Sequence, residues 1–467
     1  MLPAIVMVGR PNVGKSTLFN RVTRSRDALV ANIPGLTRDR KYGEAELDGR
    51  TCLVVDTGGL AGEDDAIDEA MAAQAIVAVD EADVCLFLVD ARQGLTAGDH
   101  EIAGLLRRHD CAVVLVINKM DGVDEDLATA EFAALGFENA HVSATHGTGM
   151  DTLLEAVTPL LPAPEETVET SGHGGISVAV IGRPNVGKST LINRMLGEER
   201  LVVFDEPGTT RDSIDIPLTR KGRHYTLIDT AGVRRRGRTT GVVEKFSVVK
   251  TLDAIHRADV VVLLLDAREG IVEQDLHLLG YAVDAGRGLV IAANKWDGLD
   301  VAQKERAKRE FDRRLNFVPW VRLLQISALH GTGVGHLFEA IQESHRAAEV
   351  TAPTAELSRI LEVAVEKHQP PLVRGRRIKL RYAHLGGSHP PTIILHGNQI
   401  DSIPASYRRY LENVFREHLG VFGTPVRVEF RGSENPFAGR RNPLTPRQER
   451  RRKRVISHSK ARKRRRG

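Results

Sequence analysis

The sequence predicts an α/β protein made of two tandem P-loop domains, each a mostly parallel sheet with helices on both faces, followed by a smaller α+β domain. Three observations carry this expectation. The run GRPNVGKST occurs twice, at residues 9–17 and 182–190. Each copy follows an apolar run, 4–8 or 178–181, that reads as a buried strand, and each continues through Leu18-Phe19-Asn20 or Leu191-Ile192-Asn193 into a helix. That is the strand–loop–helix context that the spacing G-x-x-x-x-G-K-[ST] requires. The length of 467 residues then leaves room for about three domains.

The phosphate loop is the first element in each half. Its glycines let backbone N–H groups turn inward around phosphates, the lysine adds positive charge near the β and γ groups, and the serine offers a hydroxyl to Mg²⁺. The candidate cradle is Gly9, Arg10, Pro11, Asn12, Val13, Gly14, Lys15 and Ser16 in the first copy. In the second it is Gly182, Arg183, Pro184, Asn185, Val186, Gly187, Lys188 and Ser189.

The repeat continues beyond this loop. The hexapeptide NIPGLT at 32–37 answers DEPGTT at 205–210, and Asp56-Thr57-Gly58-Gly59 answers Asp229-Thr230-Ala231-Gly232, both at the phosphate-loop offset of 173. Asn118-Lys119-Met120-Asp121 answers Asn294-Lys295-Trp296-Asp297 at 176, and Ser143-Ala144 answers Ser327-Ala328 at 184. The drift falls in loops, where insertions are tolerated. Each unit is long enough to bury its own core, so this is domain duplication and not a short solenoid repeat.

The later motifs point to the base. Strands over 51–55 and 225–228 each run into an aspartate, which places Asp56 and Asp229 at the carboxyl edge of a parallel sheet. There they can hold Mg²⁺ through water, with Gly59 or Gly232 offering an N–H to a γ-phosphate. Strands over 113–117 and 289–293 feed the Asn-Lys-x-Asp segments. An acceptor-only carboxylate, Asp121 or Asp297, matches the adjacent N1–H and 2-amino donors of guanine, which adenine lacks. Asn118 and Asn294 are expected on the imidazole side of the base, tying this loop to the phosphate loop. The N–H groups of Ala144 and Ala328 are expected to reach guanine O6. Alone, Asn-Lys-x-Asp is an ordinary surface turn; ordered behind a P-loop twice over, it reads as guanine recognition.

This set and order of motifs resembles the translation-factor-like GTPases, and the duplication is similar to the Der (also called EngA) family of bacterial ribosome-assembly GTPases over nearly the whole chain. The resemblance implies two P-loop GTPase domains and a C-terminal KH-like domain. It implies GTP hydrolysis to GDP and phosphate, a role in late ribosome biogenesis, and nucleotide-dependent association with the large ribosomal subunit and its rRNA. The alternative is a nucleotide-sensing RNA-binding scaffold in which only one G domain hydrolyses GTP.

Hydrolysis needs the γ-phosphate charge neutralised and a water held in line. The positions that follow the Asp-Thr-Gly-Gly and Asp-Thr-Ala-Gly motifs are Leu60 and Val233, whose side chains cannot orient a water. This departure from the Ras-like glutamine matches a subgroup of GTPases in whose relatives a phosphate-loop asparagine binds K⁺ in place of an arginine finger. Asn12 and Asn185 occupy that position, so K⁺ is the expected activator. Thr37 and Thr210 are the candidate Mg²⁺ ligands of the first switch loop, beside Ser16, Asp56, Ser189 and Asp229. The second switch of the second domain carries four arginines at 234–238, while residues 62–65 of the first domain are Gly-Glu-Asp-Asp. Opposite charge on equivalent switches suggests that the two domains contact different surfaces.

The first G domain is expected over 1–161, a linker over 162–175, the second G domain over 176–346 and the KH-like domain over 351–432. For the last the reading is helix 356–367, strand 377–383, strand 392–396, helix 405–419 and strand 426–430. No GxxG loop of the kind that clamps nucleic acid in KH domains is expected, because Gly386-Gly387 reads as a connection between two strands. The remainder, 433–467, is a basic tail expected to be disordered. From Arg447 onward lie twelve of the 65 basic residues and one of the 61 acidic ones, which leaves 53 basic against 60 acidic elsewhere. All net positive charge is thus in the tail, which suits RNA phosphates. Cys52, Cys85 and Cys111 show no CxxC pairing and read as reduced core residues. The first strand begins at once and apolar runs are short, so a cytoplasmic monomer with no membrane or DNA partner is expected. His146 and His330 read as exposed loop residues.

Overall fold

The computed structural model describes residues 2–23, 40–57, 76, 78–80, 82–109, 111–162, 175–197, 215–228, 248–373 and 376–432. In the first half, β1 (Ala4–Val8), β2 (Arg40–Leu47), β3 (Arg50–Thr57), β4 (Val84–Asp90), β5 (Ala112–Asn118) and β6 (Glu138–His141) form one sheet in the order β2-β3-β1-β4-β5-β6. Only the β2–β3 hairpin is antiparallel. The central strands are apolar up to a polar residue at the carboxyl end of β4 and β5 and are largely buried, β4 over its whole length, because helices cover both sheet faces. Among the described residues, helices α1 (Lys15–Val22), α2 (Ala97–Leu106), α3 (Glu125–Phe132) and α4 (Met150–Val157) flank the sheet.

The second half repeats the plan. Strands β7 (Ile176–Ile181), β8 (Ile216–Arg220), β9 (Arg223–Ile228), β10 (Val260–Asp266), β11 (Gly288–Asn294) and β12 (Arg322–Gln325) lie in the order β8-β9-β7-β10-β11-β12, the same path with the same single antiparallel pair. Its helices are α5 (Lys188–Gly197), α6 (Val248–Arg257), α7 (Glu273–Asp284), α8 (Val301–Arg314) and α9 (Val334–Ala348). In both halves the P-loop follows the strand where the sheet order reverses, the place where open α/β sheets bind ligands.

The last part consists of α10 (Thr354–Lys367), a short hairpin of β13 (Leu372–Val373) and β14 (Arg376–Arg377), then β15 (Lys379–Gly387), β16 (Thr392–Asn398), α11 (Ala405–Leu419) and β17 (Arg427–Gly432). The main sheet has the order β15-β16-β17, and the α-β-β-α-β sequence of main elements is as read. Two details differ. Residues 376–377 pair back on β13 instead of opening β15, since two adjacent basic residues form a hairpin arm as readily as a strand start. Gly386-Gly387 is not a connection but the end of β15, with Gly387 opposite Thr392. A Cβ on Gly386 would lie 2.3 Å from Ile394 Cδ1, so glycine here makes room for a neighbouring side chain.

The three parts touch. One apolar cluster runs from the first sheet into the second, joined where Tyr42 meets Tyr281 edge-to-face at 6.2 Å. His256 Nε2 lies 2.8 Å from Glu44 Oε1, and Asp253 Oδ1 accepts from Leu2 N at 2.8 Å. On the other side Gly423 N donates to Trp320 O at 2.8 Å, and its carbonyl accepts from Leu289 N at 2.6 Å.

Candidate functional site

The two P-loops share one backbone geometry. Gly9 and Gly182 have φ of 150° and 149°, and a Cβ at either would come within 2.5 Å of a strand carbonyl, Leu88 O or Leu264 O. The loop can therefore fold tightly against the neighbouring strand only with glycine. Gly14, at φ 102°, caps α1 with no side-chain bond, so the unpaired N–H groups of the first helical turn face the loop interior as an anion cradle. Lys15 Nζ lies across that cradle, donating to Gly9 O at 2.9 Å and Arg10 O at 2.7 Å. Lys188 does the same to Gly182 O and Arg183 O at 3.0 and 2.9 Å. Burial, opposed by the charge of Asp56, lowers the Lys15 pKa to about 8. An anion entering the cradle would restore its full charge.

Ser16 Oγ donates to Asp56 Oδ2 at 2.7 Å. Asp56 is held at the sheet edge, where Thr57 Oγ1 also ties β3 to β1 through Met7 O at 2.7 Å. A hydroxyl and a carboxylate brought together at the cradle's mouth are hard oxygen donors and fit Mg²⁺. Pro11, Asn12, Pro184 and Asn185 form the outer turn of each loop, with Val13 and Val186 buried beneath it. Asn12 and Asn185 are left-handed at φ 63° and 64° and both are exposed.

The Asn-Lys-x-Asp segments meet the P-loops through a set of bonds found in both copies. Asn118, 2% exposed, donates from Nδ2 to Val13 O at 2.8 Å and accepts on Oδ1 from Ala144 N at 3.0 Å. Asn294 donates to Val186 O and accepts from Ala328 N, each at 2.8 Å. One side chain thus clamps three loops. The amides of Ala144 and Ala328, expected at guanine O6, here donate to these asparagines. Lys119 Nζ donates to Asn12 O at 2.8 Å and Asp90 Oδ2 at 2.6 Å. Lys295 donates to Asn185 O at 2.9 Å and pairs with Asp266. The backbones of Asn12 and Asn185 are therefore fixed while their side chains stay exposed.

Met120 and Trp296 follow these lysines at the rim, each packed against the core. Asp121 and Asp297 come next. The Ser143 hydroxyl, foremost among several favourable partners, holds the Asp121 carboxyl below the ordinary aspartate range, and Ser327 does the same for Asp297. His146 Nε2 stands 3.6 Å from Asp121 and His330 Nε2 3.4 Å from Asp297. Both histidines are exposed as expected, but each faces the base-reading carboxylate. A histidine three residues after each Ser was a signal available in the sequence.

Another feature was not legible. Arg10 Nε donates to Asp99 Oδ1 at 2.8 Å and Arg183 Nε to Asp275 Oδ1 at 2.9 Å. Asp99 is fully buried and also accepts from Thr96 N at 3.0 Å, so the arginine of each P-loop is anchored on a helix about 90 residues away. The remaining candidates, Thr37, Gly58, Gly59, Leu60, Thr210, Asp229, Thr230, Ala231, Gly232 and Val233, lie outside the described residues, as do the acidic run 62–65, the arginines at 234–238, linker positions 163–174 and the tail 433–467.

Comparison with known proteins agrees with this layout. A family model described as 50S ribosome-binding GTPase matches residues 4–119 and again 177–295. One described as the KH-domain-like C-terminal domain of EngA bacterial GTPase enzymes matches 352–431. GTPase Der of Hahella chejuensis is 59% identical over 462 residues, covering 98% of both chains. GTPase Der of Thioalkalivibrio sulfidiphilus is 59% identical over 462 residues, covering 98% of this chain and 100% of its own. Among solved structures, the G domain of the T. maritima FeoB iron transporter matches at 25% identity and a TM-score of 0.28, covering 34% of this chain and 99% of its own. With two GTPase modules and a C-terminal KH-like module matched along the chain, and relatives of that name aligned nearly end to end, the chain belongs to the Der (EngA) family of GTPases.

Proposed function

We propose that this GTPase acts in late ribosome biogenesis, docking on the large ribosomal subunit and its rRNA in a nucleotide-dependent way as a cytoplasmic monomer. The observation that carries the reading is the repetition of one hydrogen-bond set, from lysine to P-loop carbonyls and from asparagine to three loops, on two sheets of identical topology. The same bonds among the described residues of both copies support two working G domains, at 1–161 and 176–346, and argue against a scaffold with one inert site. The ribosomal target draws on the matched family's description and on the basic tail.

In each site the P-loop amides and Lys15 or Lys188 take the β- and γ-phosphates, and Asp121 or Asp297 reads the guanine. Ser16, Thr37 and Asp56, with Ser189, Thr210 and Asp229 in the second copy, would hold Mg²⁺. When bound, the ion would neutralise charge on the β- and γ-phosphate oxygens. The exposed side chains of Asn12 and Asn185, set on backbones fixed by Lys119 and Lys295, fit K⁺ as an activating ion. Water attacks the γ-phosphate in line, and switch loops ordered by that phosphate relax on its loss.

Co-sedimentation with ribosomal subunits in GDP, in a non-hydrolysable GTP analogue and without nucleotide tests the docking. Association that ignores nucleotide, or none at all, would sink it. Single-turnover hydrolysis by Lys15→Ala and Lys188→Ala variants separates the domains, and each should retain the other's activity. Equal rates in Na⁺ and K⁺ at matched ionic strength would remove the role given to Asn12 and Asn185.

A further inference from the structure

Contrary to the expectation from the sequence, the KH-like domain does contain one G-x-x-G, Gly420-Val421-Phe422-Gly423, directly after α11. Gly423 is bonded to Trp320 and Leu289 of the second G domain, and the sheet carries a feature of another kind. On β15 and β16, Tyr382 and His396 are cross-strand partners whose rings stack face to face, 4.3 Å between centroids and 7° between planes. His384 adds a third near-parallel ring, 5.1 Å from His396 at 24° and 6.2 Å from Tyr382 at 26°. The intervening Ala383 and Leu395 point into the domain core, so strand alternation puts the three rings on the opposite face. Tyr382 is 44% exposed, which leaves its ring available to extend the stack.

The surroundings favour a polyanion. The strands β15, β16 and β17 carry Lys379, Arg381, Arg427 and Arg431 against Glu429 alone. Arg427 is engaged with the Asp284 carbonyl, but Lys379, Arg381 and Arg431 are exposed. Arg431 lies directly opposite His396 in the β16–β17 register. Burial, then the charges of His384 and Arg431, hold His396 below the ordinary histidine range, so the ring is neutral at neutral pH. Its Nε2 is buried with no hydrogen-bond partner, so the ring serves packing and not polar recognition.

We propose that Tyr382, His396 and His384 form a stacking site for an unpaired base of RNA, with Arg431, Lys379 and Arg381 beside it for the flanking phosphates. Every base has a π-face, so such a site tolerates any sequence and prefers single strands to duplex. This deepens the ribosomal reading and rests on RNA being the partner. It also places the contact on the sheet face and not on the docked loop at 420–423.

The test uses the full chain and fluorescence anisotropy with a labelled, unstructured 12-nucleotide RNA and a duplex of the same length. Tyr382→Ala should weaken single-strand binding roughly 5- to 150-fold, the range for loss of one stacked base. Tyr382→Phe should stay within about twofold, and duplex binding and GTP hydrolysis should not change. Equal single-strand affinity for Tyr382→Ala, His396→Ala and the parent protein would overturn the proposal, as would equal losses from Tyr382→Phe and Tyr382→Ala. Co-sedimentation with the large subunit separates the two levels. Loss of co-sedimentation by Tyr382→Ala with RNA affinity intact would assign this face to a protein and overturn the stacking site. A parent protein that binds the oligonucleotide by way of Tyr382 yet fails to co-sediment would keep the site and remove the ribosomal reading.

Discussion

Asn118→Ala removes the one side chain that joins the P-loop, the Asn-Lys-x-Asp loop and the Ser-Ala loop. Two buried bonds disappear, from Nδ2 to Val13 O at 2.8 Å and from Ala144 N to Oδ1 at 3.0 Å. Alanine supplies neither group, so a backbone carbonyl and a backbone amide lose their partners in a site where the asparagine is 2% exposed. Each unsatisfied group costs about 1–3 kcal/mol. Relaxation and entering water favour the low end, which gives a total of about 2–3 kcal/mol. The bonds hold three loops in the geometry the base needs, so binding must restore that order. At 1.4 kcal/mol per tenfold, guanine-nucleotide affinity of the first domain should fall about 30- to 150-fold. Asn118→Asp should be no better, because a carboxylate would face the Val13 carbonyl with no proton to donate. The assay is equilibrium titration with a fluorescent GDP analogue in a Lys188→Ala background, with thermal melting alongside. An affinity change under threefold with an unchanged melting curve would refute the view of Asn118 as the clamp.

Lys15, with its pKa lowered to about 8 by burial, must be charged to bind phosphate. The bound state favours the protonated form, so affinity of the first domain should fall as pH rises through 8, approaching tenfold per unit, and a Lys15→Arg variant should show a flat profile between pH 7.5 and 9. Asp99→Ala strips a fully buried carboxylate from Arg10 and from its capping bonds to Thr96. It should cost about 3 kcal/mol of first-domain stability in thermal or urea unfolding. At the domain junction, burial raises the Glu44 pKa, but the bond and charge of His256 with Arg427 and Arg287 outweigh it, so the net direction is down. A carboxylate with a depressed folded pKa stabilises above its ordinary value of 4.5 and loses that contribution as pH falls through the folded value. The difference in melting temperature between the parent protein and Glu44→Gln should therefore shrink below pH 4.5, and a Glu44–His256 double-mutant cycle should give about 0.5–1 kcal/mol of coupling near neutrality.

The P-loop, Asp56-Thr57 and Asn-Lys-x-Asp were legible because each is a local peptide whose placement follows from residue type and from its position after a buried strand. Their pairing in space was not. Ser143 is uninformative as a dipeptide with Ala144, and its action on Asp121 needs β5 and β6 to lie side by side. The short β13–β14 hairpin was missed because two-residue strands have no periodicity to read.

The sequence by itself determined that two guanine-nucleotide modules precede an α+β domain, since duplicated motifs at nearly constant offset leave one ordering of strands and loops. Tertiary structure decided what those motifs are attached to: Arg10 on Asp99, Lys119 on Asp90, Glu44 on His256, and Tyr382 on His396. Each of these contacts joins residues that sheet order, strand register or domain docking brings together across a gap in the chain. Such contacts depend on packing between elements, and no local pattern of residues encodes which distant surface an element will meet.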